Sequence, residues 1–425
     1  MTFWSLNKSS SPLLRNTVFY LAANIINKAI PFLLIPYFTQ HLTTAQYGAL
    51  AIFQVFVSFS TPIVGLNLPT HITRNFYTLD HEALAKLITC VLALLITSTT
   101  IFTIIYYCIS LTNLAIWEPI GSKWLAATPI ICGLLAINQI NLSVYRNQEK
   151  ALKYGLSEIT RTAINASISI ILISIYSQGW EGIAIANLLS TAALSTVGII
   201  SLYNSKLLRL SLSSFQKSKV KDALYIGATL IPHSISSSII TYSDRLIISH
   251  YLGESDVGIY SLGYQVASIA NIIIDSIILA WSPYFYRNID SKKLSITKYI
   301  YALSIIFLAV SLFTYISGTF FIHNFINNNY IDANTVLLPI SLSFFSYGLY
   351  KLLFPFLVHK GKTATLSLIS ASSGAINIIL NVILIPKIGT LGAAYSTLIS
   401  YIVVTAMLFI FVNKSVPMPW TLKRK

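Results

Sequence analysis

Charged residues are scarce in this sequence: they make up 10% of its 425 positions, while 55% are hydrophobic and the mean hydropathy is +0.71. A chain with so few charges cannot cover an ordinary soluble surface. It also lacks a phosphate-cradling glycine-rich loop, a paired-histidine metal motif and a Gly-x-Ser-x-Gly nucleophile elbow. These absences exclude a soluble domain and predict neither catalytic residues nor a metal site, so we expect a protein that is not an enzyme.

Cysteine is equally rare. The three cysteines, Cys90, Cys108 and Cys132, lie in or beside apolar stretches and do not have the spacing of metal ligands. We expect them to act as small buried hydrophobic side chains.

Long apolar stretches recur along the whole chain. A helix needs about 20 residues to cross roughly 30 Å of hydrocarbon. Runs such as 168–175 are continuously apolar, which favours helices over the alternating strands of a barrel. We predict an all-α integral membrane protein with about 12 transmembrane helices. The predicted spans are roughly 16–38, 47–69, 84–110, 123–145, 156–177, 180–203, 222–250, 256–282, 297–321, 333–357, 364–386 and 390–412.

The net charge of +15 has a topological explanation. Most of the 28 Lys and Arg residues fall at the two ends or in alternate loops, whereas only Lys123 and Lys387 lie in the other set of loops. This is the positive-inside asymmetry, which predicts that both termini are cytoplasmic and that the number of spans is even. The basic charge therefore indicates orientation, and contact with anionic membrane lipids, rather than nucleic-acid binding.

An internal repeat divides the chain. An offset of 210 residues (258 − 48) pairs Gly48 with Gly258, and the same offset pairs Lys150 with Lys360. We predict two parallel six-helix lobes, 1–210 and 211–425, with a transport site near the membrane midplane between them.

Few ionisable residues fall inside the predicted spans, where charge is costly and by default marks a pathway. They are Lys28, Glu158, Arg161, Asp244, Arg245, Asp275 and Lys351. Lys28 shares a helix face with Asn24, four residues earlier. Lys351 follows Asn141 by the repeat distance (351 − 141 = 210), so equivalent faces of both lobes are polar.

Two interpretations of the cations stay open. In the first, they line a cavity for an anionic substrate, because Lys and Arg are natural partners of phosphate oxygens. The predicted cationic cavity comprises Lys28, Arg245, Lys351, Asn24 and Asn141. In the second, they form structural ion pairs.

Candidate ion-pair partners are available for several of these cations. Asp275 lies at the depth of Lys351, and Glu158 precedes Arg161 by three residues. Asp244 is adjacent to Arg245, but neighbouring side chains on a helix point to different faces, so we expect each to need its own partner.

Asp275 and Asp244 are also candidates for ion coupling, because a carboxyl inside the membrane can bind and release protons near neutrality. We expect no bound cofactor, and a proton or sodium gradient as the energy source.

Three motifs resemble polysaccharide flippases of the Wzx type, which belong to the multidrug/oligosaccharidyl-lipid/polysaccharide exporter superfamily. They are Ile-Pro-Tyr at 35–37 with Tyr-Gly at 47–48, Asp-Arg at 244–245 with Leu-Gly at 252–253, and the stretch from Asn377 to Ala394. The resemblance extends over essentially the whole chain and implies a V-shaped fold of two lobes.

The resemblance also implies a function. Such a protein moves an undecaprenyl-diphosphate-linked oligosaccharide across the bacterial cytoplasmic (inner) membrane, and a polysaccharide polymerase and chain-length proteins are its expected partners. The cationic cavity that receives the diphosphate in that family is matched here by Lys28, Arg245 and Lys351.

Two alternatives remain. A drug antiporter of the same superfamily would favour acidic sites for cationic drugs, whereas the first predicted lobe is almost free of acids within its spans. A membrane polysaccharide polymerase would need a large external loop with catalytic motifs, and all predicted external loops are short.

Overall fold

The described residues form helices joined by short connections. A computed structural model describes residues 12–112, 115–208 and 217–421, and within these ranges it contains no β-strand. The α-helices are α1 (Pro12–Leu33), α2 (Ile35–His41), α3 (Thr44–Val64), α4 (Leu68–Asn75), α5 (His81–Ser110), α6 (Gly121–Asn147), α7 (Ala151–Ser174), α8 (Gly179–Asn204), α9 (Lys217–Leu252), α10 (Glu254–Asn288), α11 (Lys293–Phe325), α12 (Ala333–His359), α13 (Thr363–Ile388) and α14 (Thr390–Ser415). Short 3-10 helices at Ala115–Ile120 and Asn328–Tyr330 precede α6 and α12.

The all-α membrane fold class is confirmed. Of the helices in the described ranges, 10 are long and apolar enough to cross a membrane, two fewer than the predicted count. The predicted first and seventh spans lie on helices, α1 with α2 and α9, which are not among these 10.

The chain divides into two compact units. Unit 1 comprises the described residues up to His41 together with Ile52–Ser238, and unit 2 comprises Leu42–Ala51 and Ile239–Lys425, of which the structure describes residues up to 421. Both α3 and α9 therefore contribute one part to each unit. The predicted boundary between residues 210 and 211 lies in 209–216, outside the described residues, and stays a prediction.

A close helix crossing in unit 2 uses two glycines related by the repeat. Gly48 of α3 and Gly258 of α10 face each other, and a Cβ atom on Gly258 would lie 3.0 Å from the Gly48 backbone nitrogen. A side chain at either position would meet backbone atoms of the other helix, the Glu254 carbonyl or the Thr44 carbonyl. Small residues at such crossings let helices in membranes approach closely.

Two of the three cysteines are buried as predicted, Cys90 and Cys132, and all three are free thiols. The prediction was wrong for Cys108, which is exposed near the end of α5. The last turns of this apolar helix also expose Ile104, Ile105 and Tyr107, a pattern that suits a lipid-facing surface better than a packed core.

Candidate functional site

Arg245 of α9 lies in a buried cage within unit 2. It is 5% exposed, and its Nη1 donates to Asp244 Oδ1 at 2.7 Å and to the Thr241 carbonyl at 2.5 Å. The guanidinium carbon lies 4.4 Å from the ring centroid of Tyr264 and 5.4 Å from that of Tyr260. The expectation that Asp244 and Arg245 need separate partners was wrong: the long arginine side chain folds back along its own helix and reaches its neighbour.

Tyr260 completes this cage. Its hydroxyl donates to Asp244 Oδ2 at 2.5 Å, so both carboxylate oxygens of Asp244 are bonded. A buried ion pair held this way is satisfied by charge and by hydrogen bonds, which is the condition for keeping charges inside a low-dielectric environment.

A second ion pair of unit 2 joins Lys351 of α12 to Asp275 of α10. It is more open than the first, with side-chain exposures of 24% for Lys351 and 36% for Asp275. The Lys351 ammonium also lies 4.2 Å from the ring centroid of Tyr347, a cation–π contact. Lys351 therefore has a charged partner and yet stays accessible.

An aromatic row connects the surroundings of these two cations. Tyr264 packs edge-on against Phe344 at 5.6 Å between ring centroids, and Phe344 lies one helical turn before Tyr347. Tyr347 in turn contacts Tyr401 of α14 at 4.9 Å. Unit 2 thus brings the predicted residues Arg245 and Lys351 into one tyrosine-rich region.

An acid of α7 in unit 1 is fully engaged by its neighbours. Glu158 of α7 is 9% exposed and accepts from Asn27 of α1 at 3.2 Å and from Asn138 of α6 at 3.3 Å. Arg161 pairs with it at 3.5 Å, as the three-residue spacing predicted. Thr162 donates to the other end of the Asn27 amide, so the cluster ties three helices together.

Lys28 and Asn24 lie on an exposed face of α1. Among the residues that the structure describes, Lys28 has neither an ion-pair nor a hydrogen-bond partner. It is the member of the predicted cationic set whose charge is left uncompensated within its own unit.

Asn141 occupies a different setting, a polar pocket of about 530 Å³ at one end of unit 1. The pocket is formed by the end of α6, the turn into α7 and the end of α8. Its polar lining includes Asn141, Tyr145, Gln148, Lys150, Lys153 and Asn204. The sequence indicated Asn141 but not the two lysines, which it placed among the orienting charges of a cytoplasmic loop.

A cavity of unit 2 has the opposite chemistry. It measures about 630 Å³, lies between α11, α12 and α14, and is lined mainly by Leu, Ile and Phe side chains. Trp420 borders it, held by a hydrogen bond from the Tyr301 hydroxyl to its carbonyl at 2.6 Å. This lining offers no charged group to a phosphate.

Sequence reasoning missed the tyrosines and amides that surround the charges. The four-residue spacing of Tyr260 and Tyr264 on α10 is a signal of a shared helix face that was available. Asn27 and Thr162 gave no comparable signal, because polar residues that pack helices together look alike in a membrane sequence.

Comparison with known proteins agrees with this architecture. Residues 13–289 match the model of a family described as polysaccharide biosynthesis protein. The chain is 29% identical over 293 residues to "Lsg locus putative protein 1" of Haemophilus influenzae, covering 66% of this chain and 67% of that protein. It is 24% identical over 267 residues to "Putative O-antigen transporter" of Shigella flexneri, covering 62% and 63%.

Among solved structures, an inward-facing multidrug resistance MATE family transporter of the MOP superfamily is similar over 91% of this chain and 94% of that one, with a TM-score of 0.74 and 15% identity. The family match covers more than half of the chain and confirms the resemblance that the sequence motifs indicated. The chain therefore belongs to the polysaccharide biosynthesis protein family, as a multi-pass membrane protein with the fold of MOP-superfamily transporters.

Proposed function

We propose that this protein is a flippase that carries an undecaprenyl-diphosphate-linked oligosaccharide across the bacterial cytoplasmic membrane by alternating access. The family match and the relative named as an O-antigen transporter support the substrate class. The lipid tail stays in the bilayer while the charged headgroup crosses through the protein.

One observation carries the proposal: the charges inside the spans do not cancel. Glu158 pairs with Arg161, Asp244 with Arg245, and Asp275 with Lys351, each within one unit. Lys28 is left over, so this set carries one uncompensated positive charge in the described part of the chain. An unpaired cation at a costly position favours an anionic substrate such as a diphosphate.

The open pair of unit 2 supplies a second phosphate ligand in this proposal. When the coupling cation, a proton or a sodium ion, binds to Asp275, it replaces Lys351 as the partner of the carboxylate, and Lys351 becomes free to bind a phosphate oxygen. Asp244 would act in the same way on Arg245, although its pair is more deeply buried. The neighbouring tyrosine rings offer flat apolar faces to the C–H faces of sugar rings.

A cation-coupled drug antiporter is the competing function, because the similar solved structure is a multidrug transporter. Such a protein needs an acidic group that is free to bind a cationic drug. Glu158, Asp244 and Asp275 are already paired with basic side chains, which favours the flippase.

The proposal is tested by locating the lipid-linked oligosaccharide in cells that lack this protein. We expect the intermediate to accumulate in the cytoplasmic leaflet, and a plasmid copy of the gene to restore its export. An intermediate that reaches the outer leaflet but stays unpolymerised would instead indicate a polymerase. No change in either leaflet, combined with altered drug sensitivity, would indicate the antiporter.

A further inference from the structure

The polar pocket of unit 1 has a basic rim. Lys150 and Lys153 line it from the turn between α6 and α7 and from the first turn of α7. The Lys150 ammonium donates to Gln148 Oε1 at 2.8 Å, which uses one of its three donors. Glu149, the acid between these residues, is exposed and does not line the pocket. The rim therefore offers positive charge without a compensating carboxylate.

The start of α7 adds to this field. Lys150 is the N-cap residue of this 24-residue helix, and its side chain makes no capping hydrogen bond. The first backbone N–H groups of a helix have no acceptor within the helix, and they carry the positive end of its dipole. Uncapped N–H groups beside two lysines form a suitable environment for phosphate.

The inner wall provides the second, independent observation. Asn141 lines the pocket and is 2% exposed, yet its Oδ1 accepts no hydrogen bond from any described residue. A buried polar atom without a partner costs free energy, so such an atom calls for an explanation. An oxygen acceptor would repel a phosphate oxygen, but it is the partner that a sugar hydroxyl needs.

Gly198 of α8 makes room for this amide. A Cβ atom at position 198 would lie 3.2 to 3.3 Å from the Cβ, Cγ and Nδ2 atoms of Asn141. On the same side, the hydroxyls of Tyr145 and Ser201 are hydrogen-bonded to each other at 2.8 Å, and both residues line the pocket. The pocket thus has a basic rim for an anion and a hydroxyl-binding wall behind it.

We propose that this pocket binds a sugar phosphate headgroup at the membrane edge, with phosphate at Lys150, Lys153 and the start of α7 and a sugar hydroxyl at Asn141. The inference rests on the proposed function in naming the ligand: the headgroup is that of the lipid-linked oligosaccharide on the side where it is loaded. The volume of the pocket, about 530 Å³, lies within the usual range for small-molecule sites.

The test measures binding of undecaprenyl diphosphate-N-acetylglucosamine to the purified full-length protein in lipid nanodiscs by native mass spectrometry. We expect the double variant Lys150→Ala/Lys153→Ala to bind at least about tenfold more weakly, because two charge-assisted contacts are lost. The matched control is Lys360→Ala/Lys362→Ala, which removes the same charge from the equivalent turn of unit 2. We expect this control to change binding by less than about twofold.

A second variant tests the hydroxyl contact. Asn141→Leu keeps the approximate size of the side chain but removes its amide. It should weaken binding of the sugar-bearing lipid and leave binding of undecaprenyl diphosphate, which has no sugar, unchanged. An unaltered melting temperature would show that the variant is folded, and Asn141→Asp, which keeps Oδ1, should retain more sugar discrimination than Asn141→Leu.

The outcomes separate the two proposals. Equal losses in both lysine double variants would reveal a general attraction to anionic lipid and overturn the pocket. Unchanged transport between leaflets in Lys150→Ala/Lys153→Ala would also overturn it, while leaving the flippase proposal intact. Pocket-dependent binding of the lipid without any transport by the wild-type chain would support the pocket and overturn the flippase proposal.

Discussion

The turn between α6 and α7 in unit 1 and the turn between α12 and α13 in unit 2 have the same backbone and different side chains. Lys150 N donates to the Tyr145 carbonyl and Lys362 N to the Leu357 carbonyl, both at 2.9 Å. The N-cap residues have nearly equal dihedral angles, φ −84° and ψ 63° at Lys150 and φ −87° and ψ 48° at Lys362.

The side chains around the two turns have diverged. In unit 1, Gly198 leaves space for the amide of Asn141, nine residues before Lys150 (150 − 141 = 9), whereas the residue nine before Lys362 in unit 2 is the buried, apolar Leu353 (362 − 353 = 9). The bounds of α6 and α12 also differ by 212 residues (333 − 121 = 212), so Lys351, which pairs with Asp275 and follows Asn141 by 210 residues, is not the structural counterpart of Asn141. The repeated turn has therefore kept its hydrogen bonds, while the preceding helix carries a buried amide at this position in unit 1 and an apolar side chain in unit 2.

The largest expected effect concerns Lys28 of unit 1, which has no ion-pair partner among the described residues. Lys28→Ala should abolish export of the lipid-linked oligosaccharide, because no other residue of this set offers a free positive charge. Lys28→Arg should retain most of the activity, since charge is preserved. Leaflet-specific labelling of the intermediate measures both, with membrane content of each variant as the control. Full export in Lys28→Ala would remove Lys28 from the substrate path.

The two ion pairs of unit 2 should differ strongly in their contribution to stability. Asp244→Asn leaves Arg245 buried without a counter-ion, and breaking such a pair costs about 3–5 kcal/mol. Asp275→Asn breaks a partly exposed pair and should cost about 1 kcal/mol or less. Thermal unfolding in detergent checks this difference: Asp244→Asn should have the lower melting temperature of the two variants.

The exposed acid Asp290 provides the control for these measurements. Its side chain is 82% exposed, so Asp290→Asn should leave the melting temperature nearly unchanged. Equal melting temperatures for Asp244→Asn and Asp290→Asn would show that the buried cage does not stabilise the folded state.

The sequence predicted the helices better than the pairing of their charges. Hydropathy located the spans because every backbone group in a bilayer core must be bonded within a helix. The three-residue spacing of Glu158 and Arg161 predicted their contact, since such neighbours share a helix face. The Asp244–Arg245 contact was missed because spacing rules describe where Cβ atoms point, not how far a flexible guanidinium can fold back.

The contacts that shape each candidate site come from distant parts of the chain. Tyr264 and Tyr401 approach one region from α10 and α14, and Asn27 reaches Glu158 across 131 positions of sequence. Periodicity within one helix carries no information about which other helix will face it. The repeat offset of 210 residues was the long-range signal available, but the bounds of α6 and α12 correspond at an offset of 212 (333 − 121), so it does not place Lys351 at the position of Asn141.

The smallest expected effect concerns the turn between α6 and α7 and the turn between α12 and α13. Unit 2 places Gly361 at φ +69°, whereas unit 1 places Glu149 at φ +57°, where a side chain crowds the backbone. Such a conformation costs a residue other than glycine about 1–2 kcal/mol. Glu149→Gly should remove this strain and raise the melting temperature slightly, because part of the gain is lost to the greater chain entropy of glycine in the unfolded state.

Gly361→Ala is the mirror experiment. It introduces the strained conformation into unit 2, where nothing lies within 4 Å of the added methyl group, so a lower melting temperature would report backbone strain alone. Because Glu149 does not line the pocket, Glu149→Gly should keep the affinity for the sugar-bearing lipid. If it stabilises the chain but weakens that affinity, the strained turn itself holds Lys150 in place, and the glutamate in unit 1 serves binding at the expense of stability.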